Sequence, residues 1–191
     1  MKGRPIEHII KACLRHDLHA QKELYLRYVD RLYYVVLRYV NDPFYIENIL
    51  QDIFLKVFKN LHQFDSEKGR FEAWIKTIAI REAINHCKKK FIRFQPIESL
   101  YGLTDDKGFK QILEKLEAEE ILDVISKIPD KYRLIFNMYE IDGYSHKEIC
   151  QVLKINESTS RSYLTRAKQL IRAQLNYLNS FELLCDGKEK N

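Results

Sequence analysis

Seven polar side chains in the second half of the chain share one side of a helical repeat. At about 100° per residue, Ser158, Arg161, Ser162, Thr165, Arg166, Gln169 and Arg172 lie opposite an apolar stripe of Leu164, Ala167, Ile171 and Leu175. Guanidinium forks, hydroxyls and an amide are the groups that hydrogen-bond base edges and phosphates. A shorter amphipathic pattern, Tyr144 to Leu153, precedes them, and a tight turn separates the two. Helix, turn and second helix is the helix-turn-helix plan, whose second helix enters the major groove. Ser158 and Thr159 open that helix, where amide donors and the dipole favour a phosphate. Arg161, near the helix start, is the better base contact, with Arg166 on the other flank. Ser162 and Thr165 reach adjacent base edges. Lys168 lies toward the buried edge and touches phosphate at most. The competing reading is an ordinary surface helix pair with solvated charges.

A second group lies between Lys76 and Arg93, which holds six basic residues against one acid, Glu82. Cations of this density suit a nucleic-acid backbone, and aromatic rings suit stacking on exposed bases. Arg81 and Asn85 suit base contacts, Lys88 and Lys89 suit phosphates, and Lys76 belongs to the same basic stretch. Phe64, Phe71 and Trp74 are near in sequence, although core positions suit Phe71 and Trp74 equally.

A third pattern runs from Phe44 to Leu61. Ile46, Ile49, Leu50, Ile53 and Val57 cluster in one sector, and Asn48, Gln51, Asp52, Leu55 and Lys59 face away. An apolar Leu55 amid a polar face suggests a surface that a partner covers. From these residues alone, a solvated face with one stray leucine is the better reading.

The elements that position these groups are helical almost throughout. Glycine and proline are sparse, and 46% hydrophobic content suffices for real cores in 191 residues. The expected fold is all-α: two small helical domains joined by a flexible linker, the second a helix-turn-helix. The boundaries expected are 1–94, a linker at 95–110 where periodicity fails around a proline and two glycines, 111–178, and a tail at 179–191. Asp42 and Pro43 should open one helix, and Pro129-Asp130 another, running to about Tyr139. A net charge of +5 permits nucleic-acid binding without demanding it. No apolar run reaches the roughly 20 residues of a membrane span, so no membrane insertion is expected and the location is cytoplasmic. Cys13, Cys87, Cys150 and Cys185 are scattered, as reduced thiols are. Cys13, His16 and His19 repeat every three residues, but Asp17 reads as a cap that breaks their shared face. No metal site and no cofactor is expected; there is no HExxH and no Gly-rich phosphate loop.

Two blocks of this chain resemble the extracytoplasmic-function group of the sigma-70 family of RNA polymerase sigma factors. LYLRYVDRLYYVVLRYV, DPFYIENILQDIFLKVF and FDSEKGRFEAWIKTIAIREAINHCKKK are similar to regions 2.1, 2.2 and 2.3–2.4. IPDKYRLIFNMYEIDGYSHKEICQVLKINESTSRSYLTRAKQLI is similar to region four. The resemblance implies a polymerase contact through Asn48, Gln51, Asp52 and Leu55. It implies minus-ten strand capture through Lys76, Arg81, Asn85, Lys88 and Lys89. It further implies minus-thirty-five reading through Ser158, Thr159, Arg161, Ser162, Thr165, Arg166 and Lys168. The implied partners are core RNA polymerase, promoter DNA and an anti-sigma factor.

Several positions depart from the family pattern. Ile46 stands for a common alanine, Asn48 for aspartate, and Arg81 for an asparagine. Lys154 occupies the turn position usually held by glycine, which reaches positive φ without strain. Ser160 replaces a usual valine and falls on the buried side. Two readings compete with the sigma factor: a stand-alone helix-turn-helix regulator, and a helical metalloenzyme, which the missing catalytic motifs disfavour.

Overall fold

A computed structural model describes residues 4–93 and 118–186. Every regular element among the described residues is helical, in agreement with the all-α expectation. The chain divides into two compact units, Met1–Cys87 and Lys88–Asn191. The expected break at residue 94 and the linker at 95–110 lie outside the described residues.

The first unit contains α1 (Ile6–Cys13), α2 (Leu18–Leu37), α3 (Pro43–Asn60) and most of α4 (Phe71–Arg93). Asp17 starts α2: its Oδ1 accepts the amides of His19 and Ala20 at 2.8 and 3.2 Å. His16 takes a left-handed φ of 61° just before it, so Cys13, His16 and His19 do not share a helix. Burial, and next the charge of Asp17, push the Cys13 thiol up to about 11. Asp42 caps α3 by accepting the Phe44 amide at 3.0 Å, with Pro43 in the first turn, where its missing N–H costs no bond. Ile46, Ile53 and Val57 of α3 are fully buried, as is Leu24 of α2. The Tyr28 hydroxyl donates to Glu72 Oε1 at 2.8 Å, and its ring meets Phe71 edge-on at 5.4 Å. These contacts pin the start of α4 to the middle of α2.

The second unit contains α5 (Ala118–Ser126), α6 (Asp130–Phe136), α7 (His146–Leu153) and α8 (Glu157–Asp186). The helix expected to reach Tyr139 instead ends in a π-helical turn, Asn137–Ile141, where the Asp142 amide donates to the Asn137 carbonyl at 2.9 Å. Gly143 follows with φ 74°. Ser145 then opens α7 with a reciprocal cap: Glu148 Oε2 accepts the Ser145 amide at 2.8 Å, and Ser145 Oγ accepts the Glu148 amide at 3.3 Å. α8 packs chiefly on α6, with Tyr132 and Tyr163 edge-on at 5.3 Å. It continues to Asp186, past the expected boundary at 178. The tail expected from 179 is thus helical up to Asp186, because no helix breaker intervenes before Gly187. No helix among the described residues is long and apolar enough to cross a membrane.

Candidate nucleic-acid and polymerase interfaces

α8 carries the first candidate surface. Leu164, Ala167, Ile171 and Leu175 are buried, as their spacing predicts. Ser158, Arg161, Arg166 and Gln169 are exposed, and Thr159, Ser162, Thr165 and Arg172 are half-buried beside them. The exposed guanidiniums rest on weak local partners. Arg161 Nη2 lies 3.2 Å from Glu157 Oε2, and Arg166 Nη1 donates to Gln169 Oε1 at 3.2 Å. Solvent-exposed pairs of this kind are worth about 0.2–1 kcal/mol, so a base or phosphate displaces them at little cost. Ser162 Oγ donates to its own helix at the Thr159 carbonyl, 3.0 Å away, which leaves its lone pairs to accept.

Three expectations for this face change. Lys168 is withdrawn from it: only 3% exposed, its Nζ lies 2.7 Å from Glu140 Oε1. A long cation on the buried edge of a helix finds a carboxylate inside the domain before it reaches water. Thr159 does not offer its amide to a phosphate, because Asn156 Oδ1 accepts it at 2.7 Å. The Ser158 hydroxyl also donates to Asn156 Oδ1, at 2.7 Å, and Glu157 adds a carboxylate to the first turn. The helix therefore starts with its own cap in the place expected for an anion.

α4 carries the second surface. Arg81, Asn85 and Lys89 are exposed. At about 100° per residue, Trp74, Arg81, Asn85 and Lys88 fall within one narrow sector of the helix, and Lys89 borders it. Lys76 sits nearly opposite Trp74, so although exposed it does not extend that line. The aromatics divide as well. Phe71 is core, 2% exposed. Trp74 is half-buried, stacked at a tilt against Phe71 at 5.4 Å and Phe64 at 5.7 Å. An indole propped by two rings, with an arginine and an amide farther along the same stripe, is a wall on which an unstacked base can rest. Asn85 Nδ2 holds only a long 3.4 Å bond to Glu82 Oε1.

α3 carries the third. Asn48, Gln51, Asp52 and Leu55 are all exposed, with Leu55 67% accessible. Phe44, 69% accessible, lies eleven residues before Leu55 and returns to the same side after three turns. Two large apolar side chains thus stand exposed on one otherwise polar face.

Two family models match the segments that carry these surfaces: Sigma-70 region 2 over residues 24–91, and Sigma-70, region 4 over residues 118–171. Together they span more than half of the chain. The chain belongs to the extracytoplasmic-function group of the sigma-70 family. This sigma factor is similar to the ECF RNA polymerase sigma factor SigM of Bacillus subtilis, 25% identical over 155 residues, which cover 81% of this chain and 94% of that protein. It is also similar to SigK of Mycobacterium tuberculosis, 26% identical over 172 residues covering 87% and 91%. A solved structure of CnrH in complex with the cytosolic domain of CnrY matches with 18% identity and a TM-score of 0.44, over 88% of this chain and 96% of that one.

Some features of this sigma factor escaped the residue-by-residue reading. Phe44 opens the third pattern, and only its eleven-residue spacing to Leu55 places it on the polar face. Ser145 and Glu148 carry the S-x-x-E spacing of a capping box, which is visible in the sequence. Glu140 gives no such signal, since its pairing with Lys168 crosses 28 positions. The buried Ser160 was legible by angle, but its partner was not: His146 Nδ1 lies 2.8 Å from Ser160 Oγ.

Proposed function

We propose a division of labour among the three faces of this sigma factor, which binds core RNA polymerase and directs promoter-specific transcription initiation. The α3 face, with Asn48, Gln51, Asp52 and Leu55 and extended by Phe44, grips the polymerase. The α4 stripe of Trp74, Arg81, Asn85, Lys88 and Lys89 captures one strand of the melted minus-ten element. Arg161, Ser162, Thr165 and Arg166 of α8 read the duplex minus-thirty-five element from the major groove. Ser158 and Thr159 then flank the groove through their side chains.

The alignment of Trp74, Arg81 and Asn85 on one side of α4 carries this assignment. A base-sized aromatic wall and hydrogen-bonding groups on one line suit a single strand, and a duplex-reading helix lies in the other unit. None of this requires covalent chemistry or a cofactor. Each face binds weakly alone, and attachment of both units to polymerase raises their effective concentration at the promoter. The work belongs in the cytoplasm, where polymerase and promoter DNA are. An anti-sigma factor that covers Phe44 and Leu55 would compete directly with polymerase.

The test is transcription in vitro with core polymerase on a library of promoter fragments. Start sites that share an upstream and a downstream element are the expected result. Tight, selective DNA binding that is indifferent to core polymerase would favour a stand-alone regulator instead.

A further inference from the structure

The contact between the two helices of the helix-turn-helix is polar where an apolar one would suffice. His146 occupies the first position of α7 and Ser160 the first turn of α8. They meet at 2.8 Å, with His146 8% and Ser160 0% exposed. One face of the imidazole is covered by Tyr139, stacked at 4.4 Å with an interplanar angle of 25°. Tyr139 belongs to the π-helical turn, and its neighbour Glu140 holds Lys168. That turn therefore grips α8 at two places: through His146 at Ser160, and through Glu140 at Lys168. The two places are eight residues apart, about 12 Å along the helix axis.

Two directional contacts separated along a rod set its orientation. The apolar side chains between them, Leu164 and Ala167, supply attraction that is non-directional and tolerates small rotations. A hydrogen bond weakens steeply once its geometry is lost. Arg161, the candidate base contact, immediately follows Ser160, so a rotation about this end of α8 moves its guanidinium first. Base readout is sensitive to such displacements because bidentate contacts demand aligned donors.

We infer that the His146–Ser160 hydrogen bond is a specificity-determining joint: it touches no DNA, yet it holds Arg161 at the angle from which the upstream element is read, and a proton on His146 loosens it. This inference rests on the minus-thirty-five assignment of α8. The neutral imidazole bonds the hydroxyl in either tautomer, as acceptor or as donor. A proton makes Nδ1 a donor only, which the hydroxyl can still accept; what loosens the joint is the cation itself, placed in a buried contact beside Arg161 and Lys168. The charged groups facing the ring are Arg161, Glu157 and Lys168 from α8 and Glu140 from the π-helical turn; Lys147 and Glu148 of its own helix point outward and are exposed. Burial, and next Arg161, hold His146 below its ordinary value of 6.5. The contribution of the neutral ring is therefore complete above pH 6.5 and is lost as the pH falls through the depressed value.

The experiment uses the full chain with core polymerase and pairs of promoters that differ only in the upstream element. Transcription is compared near pH 7.5 and at a series of values descending below the ordinary histidine range, because His146 titrates below 6.5. Wild type should prefer its best upstream element strongly near neutrality and lose most of that preference in acid. Ser160→Ala should lose about tenfold in preference even near neutrality, since each lost base contact is worth that order, while use of mismatched promoters stays within about twofold. His146→Asn places an amide where Nδ1 lies and does not titrate; it should keep the preference and lose the acid sensitivity. Circular dichroism accompanies each variant, and if Ser160→Ala does not fold, His146→Asn decides. A folded Ser160→Ala with undiminished preference, or a His146→Asn as acid-sensitive as wild type, overturns the inference and leaves the sigma-factor reading intact. A wild type that directs polymerase to no promoter overturns both.

Discussion

Glu140 and Lys168 form a nearly buried ion pair, 2.7 Å between Oε1 and Nζ, with side chains 21% and 4% exposed. The pair ties the π-helical turn to the recognition helix and gives Lys168 a structural task in place of a DNA contact. Lys168→Met should therefore destabilise the second unit by about 1–3 kcal/mol, since it leaves a partly buried carboxylate without its cation. The salt dependence of promoter binding should not change, because no phosphate contact is lost. Thermal unfolding and a salt titration of binding check the two halves. A slope reduced by about one unit, with unaltered stability, would return Lys168 to the DNA.

Lys154 ends α7 with φ 60° and ψ 45°. A side chain in the left-handed region costs about 1 kcal/mol that glycine avoids. The cap bond from the Lys154 amide to the Cys150 carbonyl, 2.9 Å, involves only backbone and survives substitution. Lys154→Gly should raise the melting temperature of the second unit by several degrees. An unchanged or lower value in differential scanning calorimetry would mean that the lysine side chain contributes something the geometry does not reveal.

Asp52 and Leu55 are exposed on α3, away from Ile46, Ile53 and Val57 of the core. The double substitution Asp52→Arg with Leu55→Asp should weaken core-polymerase binding by tenfold or more, in the range of interface hot spots at about 1–2 kcal/mol or above. The helical circular dichroism spectrum should remain that of wild type. Phe44→Ser should act in the same direction. Undiminished affinity in a folded double variant would remove α3 from the polymerase contact.

Arg161 and Arg166 flank the exposed side of α8, five residues apart. Their roles should differ. Arg161→Ala should cost about 1–3 kcal/mol and relax preference at one or two upstream positions. Binding selections on a randomised upstream element, repeated at several salt concentrations, report it. Equal weakening on every sequence would make Arg161 a phosphate clamp.

Trp74 shares its side of α4 with Arg81 and Asn85. Trp74→Ala should remove a stacking platform worth about 1–3 kcal/mol for single-stranded minus-ten DNA. Trp74→Phe should recover most of that binding. Fluorescence anisotropy with a fork-junction template measures both; an alanine variant that melts promoters normally would leave Trp74 with a packing role alone.

Much of this protein is determined locally and is therefore legible in its sequence. The caps at Asp17 and Asp42, the turn at Gly143, the apolar stripe of α8 and the buried position of Ser160 follow from rules that operate within a few residues. The sigma-70 blocks follow from spacing over two or three turns. The linker expectation at 95–110 lies outside the described residues. What only the tertiary structure decided are pairings between distant positions: Lys168 with Glu140, His146 with Ser160, and Tyr28 with Glu72. A helical wheel gives the direction in which a side chain leaves its helix but not what meets it there. Lys168 shows the consequence, because its angle put it at the edge of the DNA face and a carboxylate from another element took it inward. The same limit divided Phe71 from Trp74: both were candidates for core or strand contact, and the packing of α2 buried only the first.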